Sequence, residues 1–184
     1  MIEAPSGMGK TVVALVALAS SRGRLVVYAC RTHEQYSNVV REARLIGLSV
    51  LGLAGRRALC PALPRVVDPL VLSYLCYAMR SSGACPYALC APRDFIEGVG
   101  TPFAIGPTEL RRLSEELKVC PFVLAAALAH QADVVCLSYW HLFSPLPYTI
   151  FRKMPINIRK SYLVMDEFHN IPYLAVECSS ITLD

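Results

Sequence analysis

Lys10 and Thr11 close the stretch Ala4-Pro5-Ser6-Gly7-Met8-Gly9-Lys10-Thr11, in which small residues and glycines lead into an ammonium and a hydroxyl. That pattern suits a phosphate cradle. Ser6, Gly7, Met8 and Gly9 let backbone N–H groups close round phosphate oxygens, Lys10 supplies a point charge to the terminal phosphates, and the Thr11 hydroxyl can ligate Mg²⁺. Far along the chain, Asp166-Glu167-Phe168-His169 follows the apolar run Tyr162 to Met165 and sets two acids side by side. Asp166 is suited to hold Mg²⁺ through water, and Glu167 to orient and deprotonate an attacking water. Lys10, Asp166, Glu167 and His169 are therefore the candidate catalytic groups.

The cysteines form a second constellation. Eight occur in 184 residues, and five of them fall between Gly55 and Leu128. Three are followed directly by proline: Cys60, Cys85 and Cys120. A proline after a ligand also ends the ferredoxin cysteine run, and its fixed φ helps shape the following turn. A fourth ligand would be Cys76, within a helical pattern, or Cys90, which is separated from Cys85 by four residues. Four thiolates suit an iron–sulfur cluster or tetrahedral Zn²⁺, although the set 60, 76, 85 and 120 lacks the short paired knuckles of most structural zinc sites. Cys30, Cys136 and Cys178 sit in apolar contexts and read as small core residues.

The elements that must hold these groups follow from hydrophobic spacing. An almost wholly apolar helix pattern runs from Lys10 to Ser20, a buried strand from Arg24 to Ala29, an amphipathic helix from Glu34 to Ile46 and a strand from Ser49 to Leu53. This alternation is the rhythm of a parallel α/β sheet. It breaks at Gly55, where prolines and cysteines gather. Helix patterns then cover Leu70 to Met79, Thr108 to Lys118 with Thr108 as N-cap, and Phe122 to Gln131 opened by Pro121. Strand signals return at Asp133 to Tyr139 and Tyr162 to Met165. The expected organisation is a sheet domain in residues 1–55 and 129–184, with a cysteine-rich insert at 56–128.

Composition limits the class of protein. The chain is 54% hydrophobic and 17% charged, which excludes disorder as its dominant state. A net charge of +4 permits a polyanionic partner without requiring one. The longest apolar runs, such as Thr11 to Ala19, fall short of the roughly 20 residues that a bilayer span needs. The N-terminus lacks the basic start of a secretory signal. The expectation is a protein of the reducing cytoplasm, associated with the nucleoid in a prokaryote or nuclear in a eukaryote, without a membrane partner.

Five segments in order, G-M-G-K-T, C-R-T-H-E-Q, G-R-R-A-L-C, C-P-F-V-L-A and D-E-F-H-N-I, resemble the iron–sulfur XPD family of DEAH-box, superfamily-2 DNA helicases. Phe168 stands where the family more often has alanine. The resemblance implies a RecA-like first motor domain, a mostly helical [4Fe–4S] insert and 5′-to-3′ unwinding driven by ATP and Mg²⁺. It implies Cys76 as the fourth ligand, with Cys90 as the alternative. It also implies single-stranded DNA or a DNA fork as partner, met by Arg31 and Thr32 and near the insert by Arg56 and Arg57. His169 would bridge the nucleotide and DNA sites, and Tyr139 or Trp140 could stack on a base.

A helicase of this family needs a second motor domain, for which too few residues follow His169. The chain is therefore expected to be a fragment, a truncated frame or half of a split motor, inactive as a motor alone. Two other function classes fit part of the pattern. One is an iron–sulfur DNA-binding module without motor function, and the other a zinc-bearing P-loop ATPase that does not act on nucleic acid.

Overall fold

The structure, a computed structural model of the chain, describes residues 8–19, 24–64, 68–87, 89–143, 154 and 156–179. Helix α1 (Lys10–Ala19) starts after Gly9, whose φ of 73° places it in the left-handed region that glycine tolerates best. Strand β1 (Val26–Cys30) is buried along its whole length. Helix α2 (His33–Leu45) opens with a complete capping box: Thr32 accepts from the Gln35 N–H, and the Gln35 side chain accepts from the Thr32 N–H. Strand β2 (Val50–Gly52) follows, and the chain then leaves the sheet.

The excursion carries α3 (Arg56–Leu59), α4 (Pro69–Ser81) and α5 (Arg93–Gly98). It returns through the short strand β3 (Ala104–Ile105), then α6 (Pro107–Leu117) and α7 (Pro121–Ala129). Strand β4 (Val134–Ser138), α8 (Tyr139–Phe143), β5 (Tyr162–Met165) and α9 (Ile171–Ser179) complete the described elements, with single 3₁₀ turns at Ile158–Lys160 and Phe168–Asn170.

All described pairings are parallel, in the order β3-β2-β4-β1-β5. A parallel sheet must be covered on both faces, and the alternation of side chains shows how. Val27, Ala29, Leu51, Val135 and Leu137 join Leu110, Leu124 and Leu128 of α6 and α7 in one core. Val26, Tyr28, Cys30, Val50, Val134 and Cys136 face the other way, onto Leu15 of α1 and Tyr36, Val39 and Ala43 of α2. Each fully buried Leu or Val contributes on the order of 1.5–3 kcal/mol, so these two layers dominate the stability.

Three local features differ from the sequence expectation. The stretch expected as an insert shares its core with the sheet: β3 adds a strand beside β2, and α6 and α7 pack beneath. The α6 N-cap is Gly106 rather than Thr108, because Pro107 takes the first helical position with its preset φ. Gly52 permits this return, since a Cβ there would lie 3.0 Å from Pro107 Cδ and 3.3 Å from Gly106 Cα. Tyr139 begins α8 instead of ending β4, and Ser138 and His141 explain the turn. His141 Nδ1 accepts from the Ser138 N–H at 3.2 Å and lies 2.9 Å from its hydroxyl, a cap that ends the strand.

Candidate nucleotide site and cysteine cluster

The carboxyl ends of β1 and β5 lie side by side, because Val26 to Ala29 pair in register with Tyr162 to Met165. The Asp166 N–H continues the ladder by donating to the Ala29 carbonyl at 3.0 Å. This register brings Asp166 to the start of α1. The Thr11 and Asp166 side chains both act on the buried Tyr28 hydroxyl, and the charge of Lys10 acts on the same Asp166 carboxylate. The phosphate-loop residues and the first acid therefore meet, although they are more than 150 positions apart in the chain. Ser6 and Gly7 lie outside the described residues. Met8 is exposed, and Gly9 occupies the turn.

Burial raises the Asp166 pKa above its ordinary value, and the adjacent Glu167 charge raises it further. Lys10, Tyr28 and the Glu167 N–H act in the opposite direction without cancelling the rise. Negative charge is thus crowded at the place where a divalent cation would relieve it, which fits Mg²⁺ between Thr11 and Asp166.

Glu167 itself is exposed and lies at φ 54°, ψ 49°, a left-handed conformation that costs a non-glycine residue about 1–3 kcal/mol. Its carbonyl accepts from the Asn170 backbone N–H at 3.0 Å and from the Asn170 side-chain amide at 3.1 Å. The Arg31 Nη1 donates to Asn170 Oδ1 at 3.0 Å. His169, expected as the bridge between sites, has its Nε2 3.1 Å from the amide nitrogen of Asn170, which in turn bonds Arg31.

Among the expected DNA contacts, Arg31, Thr32 and Arg57 are exposed. The Thr32 oxygen also serves as the α2 cap. Arg56 lies partly inward: its guanidinium sits over the Phe122 ring, 5.4 Å from the centroid, and bonds Ser73 at 3.4 Å. Tyr139 offers no ring face to a base. It is 2% exposed and its hydroxyl donates to the Asp166 carbonyl, whereas Trp140 is 44% exposed.

Helix packing brings Cys76 and Cys120 toward Cys60. Cys60 closes the end of α3, Cys76 lies within α4, Cys120 is the N-cap of α7, and α3 packs on both α4 and α6. Burial is the main cause that lifts the Cys60 thiol pKa, and the Cys76 and Cys120 thiolates raise it further. The Ala62 and Leu63 N–H groups bond the Cys60 sulfur and oppose that rise. Cys85 follows α4, with its N–H on the Met79 carbonyl at 3.1 Å, and Cys90 is exposed. Among the described residues, no three His, Cys, Asp or Glu side chains are drawn together as a metal centre.

Three features nonetheless fit an anionic thiolate cluster there. N–H groups point at the Cys60 sulfur, and Arg111 fixes the backbone by donating to the Cys60 carbonyl at 2.9 Å. The Arg56 Nε is buried without a hydrogen-bond partner, a donor that lacks its acceptor. Cys30 and Cys136 are fully buried, as expected, and the Cys178 side chain lies outside the described set. Among the described helices, none is long and apolar enough to cross a membrane.

Sequence reading assigned no role to Tyr28, Gln35, Arg111 or Asn170; of these, Gln35 carried a local signal, the Thr-x-x-Gln spacing of a capping box.

Comparison with known proteins identifies the family and the fold. The family described as DEAD_2 matches residues 28–184. The chain is 26% identical over 167 residues to a "Regulator of telomere elongation helicase 1 homolog" from Culex quinquefasciatus, covering 86% of this chain and 16% of the relative. It is 26% identical over 163 residues to the "Regulator of telomere elongation helicase 1" of Mus musculus, covering 86% of this chain and 13% of that protein. Two solved structures share the fold at 20% identity. "Truncated XPD" matches with a TM-score of 0.62 over 91% of this chain and 47% of its own. "XPD_Helicase" matches with a TM-score of 0.64 over 94% and 29%.

Proposed function

The chain belongs to the DEAD_2 family and is a superfamily-2 helicase-type domain, and from that premise we propose that it binds Mg²⁺–ATP and single-stranded DNA as the first motor domain of an XPD-type 5′-to-3′ helicase. It spans about one sixth or less of the length of the curated relatives reported above. Motor activity therefore belongs to a longer or assembled protein.

One observation carries the reading: the register of β1 with β5 sets Asp166 beside Ala29, where the charge of Lys10 reaches its carboxylate, across elements that only the sheet brings together. In the proposed mechanism the loop from Ser6 to Gly9 encloses the phosphates and Lys10 neutralises charge on their terminal oxygens. Thr11 and Asp166 would hold Mg²⁺, which would supply positive charge to the phosphates. Glu167 orients the attacking water and takes its proton. Arg31, Thr32 and Arg57 line the path of the single strand, with phosphate as their partner.

Residues 56–128 form the cluster-bearing insert, whose second half returns to the sheet through β3, α6 and α7. Cys60, Cys76, Cys85 and Cys120 would hold a [4Fe–4S] cluster, with Cys90 as the alternative to Cys76. When bound, such a cluster would supply a rigid covalent brace for the segments that carry these cysteines. The unpartnered Arg56 Nε and the N–H groups at Cys60 support an anionic occupant.

The test is ATP turnover and oligonucleotide binding by the full chain, with and without single-stranded DNA. Stimulation of turnover supports the motor reading. Binding of DNA without ATP turnover supports a cluster-bearing binding module, and turnover indifferent to DNA supports an ATPase that does not act on nucleic acid.

A further inference from the structure

Asn170 stands at a junction of three groups. Its Oδ1 accepts from Arg31 Nη1 at 3.0 Å, and its Nδ2 lies 3.1 Å from the Glu167 carbonyl and 3.1 Å from His169 Nε2. These partners orient the amide. A guanidinium only donates and a carbonyl only accepts, so the oxygen must face Arg31 and the nitrogen must face Glu167. The second N–H then points to His169, whose Nε2 is the acceptor.

Each arm leads to a different ligand. Arg31 is exposed, and its backbone is pinned because its N–H donates to Gln35 Oε1 at 2.9 Å. Its side chain is thus a cation on a fixed base, able to take a phosphate. Glu167 is held in the left-handed region, and both the backbone and the side chain of Asn170 bond its carbonyl. An anion drawing on the Arg31 guanidinium therefore acts on the same amide that secures the backbone of Glu167.

We infer that Asn170 is a positioning residue that couples the two sites: a nucleic-acid phosphate at Arg31 and a nucleotide at Glu167 each change the affinity for the other through its side-chain amide. The inference rests on the reading of Arg31 as a phosphate contact and of Glu167 as part of the nucleotide site. It adds a group that touches neither ligand and sets how strongly one reports on the other. Linkage requires the effect to be reciprocal.

The experiment measures the affinity of the full chain for the Mg²⁺ complex of a non-hydrolysable ATP analogue, with and without a saturating thymidine oligonucleotide. The reverse titration completes the cycle. Wild type is expected to show a coupling on the order of 5-fold or more, equal in both directions. Asn170→Ala removes all three arms. Asn170→Asp keeps an acceptor for Arg31 but sets an oxygen against the Glu167 carbonyl.

Both variants are expected to bind each ligand alone while the coupling falls below about 2-fold. A purely structural role would lower melting temperature and both affinities together with the ratio intact, and that result overturns the inference. If wild type binds both ligands with a ratio of one, the inference fails and the proposed function stands. If wild type binds neither ligand, the proposed function fails and takes the inference with it.

Discussion

The Tyr139 hydroxyl donates to the backbone carbonyl of Asp166, joining the start of α8 to the end of β5. The Tyr28 hydroxyl acts on the Asp166 side chain and opposes the rise of its pKa. The candidate Mg²⁺ ligand is therefore braced at its main chain by Tyr139. Tyr139→Phe removes this brace and leaves the ring packing intact. The expected cost is about 0.5–1.5 kcal/mol, a fall in melting temperature of roughly 1–6 °C for a domain of this size. The stabilisation that Mg²⁺–ATP confers in a thermal scan should shrink as well, and an unchanged scan in both states would show that the hydrogen bond is not needed.

Lys10→Ala tests the phosphate loop. Its side chain is half-exposed at the opening of α1 and its removal leaves no cavity in the core. The circular dichroism spectrum should match wild type, while calorimetric binding of ATP falls by at least about 10-fold, the loss of a charge-assisted phosphate contact of roughly 1.5–3 kcal/mol. Undiminished binding would remove Lys10 from the site.

The cysteines divide by environment. Burial raises the Cys30 thiol to about 12, and the charge of Asp166 adds to the effect. Because this folded value lies above the ordinary 9.0, the thiol's contribution to stability is intact below pH 9 and declines as pH rises toward 12. In the native protein Cys30 should resist iodoacetamide from pH 7 to 9, whereas the exposed Cys90 reacts first. Mass spectrometry of the alkylated peptides reads the order, and Cys30 should label only on unfolding.

Reconstitution with iron and sulfide under anaerobic conditions tests the cluster. Cys85→Ser and Cys60→Ser should lose the brown chromophore with its visible absorbance while nucleotide binding persists. Cys90→Ser should keep it. Metal analysis separates iron from zinc, and loss of colour in Cys90→Ser with retention in Cys76→Ser would exchange the fourth ligand.

Much of this architecture was legible from spacing alone. The apolar run before Asp166, the glycines before Lys10 and the alternation of helix and strand each depend on neighbours within a few positions, and local sterics and periodicity act over that range. The extents of α1, β1, α2, α4, α7 and β5 follow the sequence expectation within a few residues for that reason. β3 escaped notice because two residues carry no period, and the strand exists only because β2 offers an edge.

Tyr139 shows the same limit from the functional side. An aromatic after a strand looks like a base platform in one dimension, and only the position of β5 turns it inward to brace Asp166. The sequence by itself determined which residues could do chemistry and where the elements run, since those properties are local. Tertiary structure alone decided which of them meet. Parallel pairing of β1 with β5 sets Tyr28 beside Asp166 and brings Arg31 to Asn170, partners separated in the second case by 139 positions.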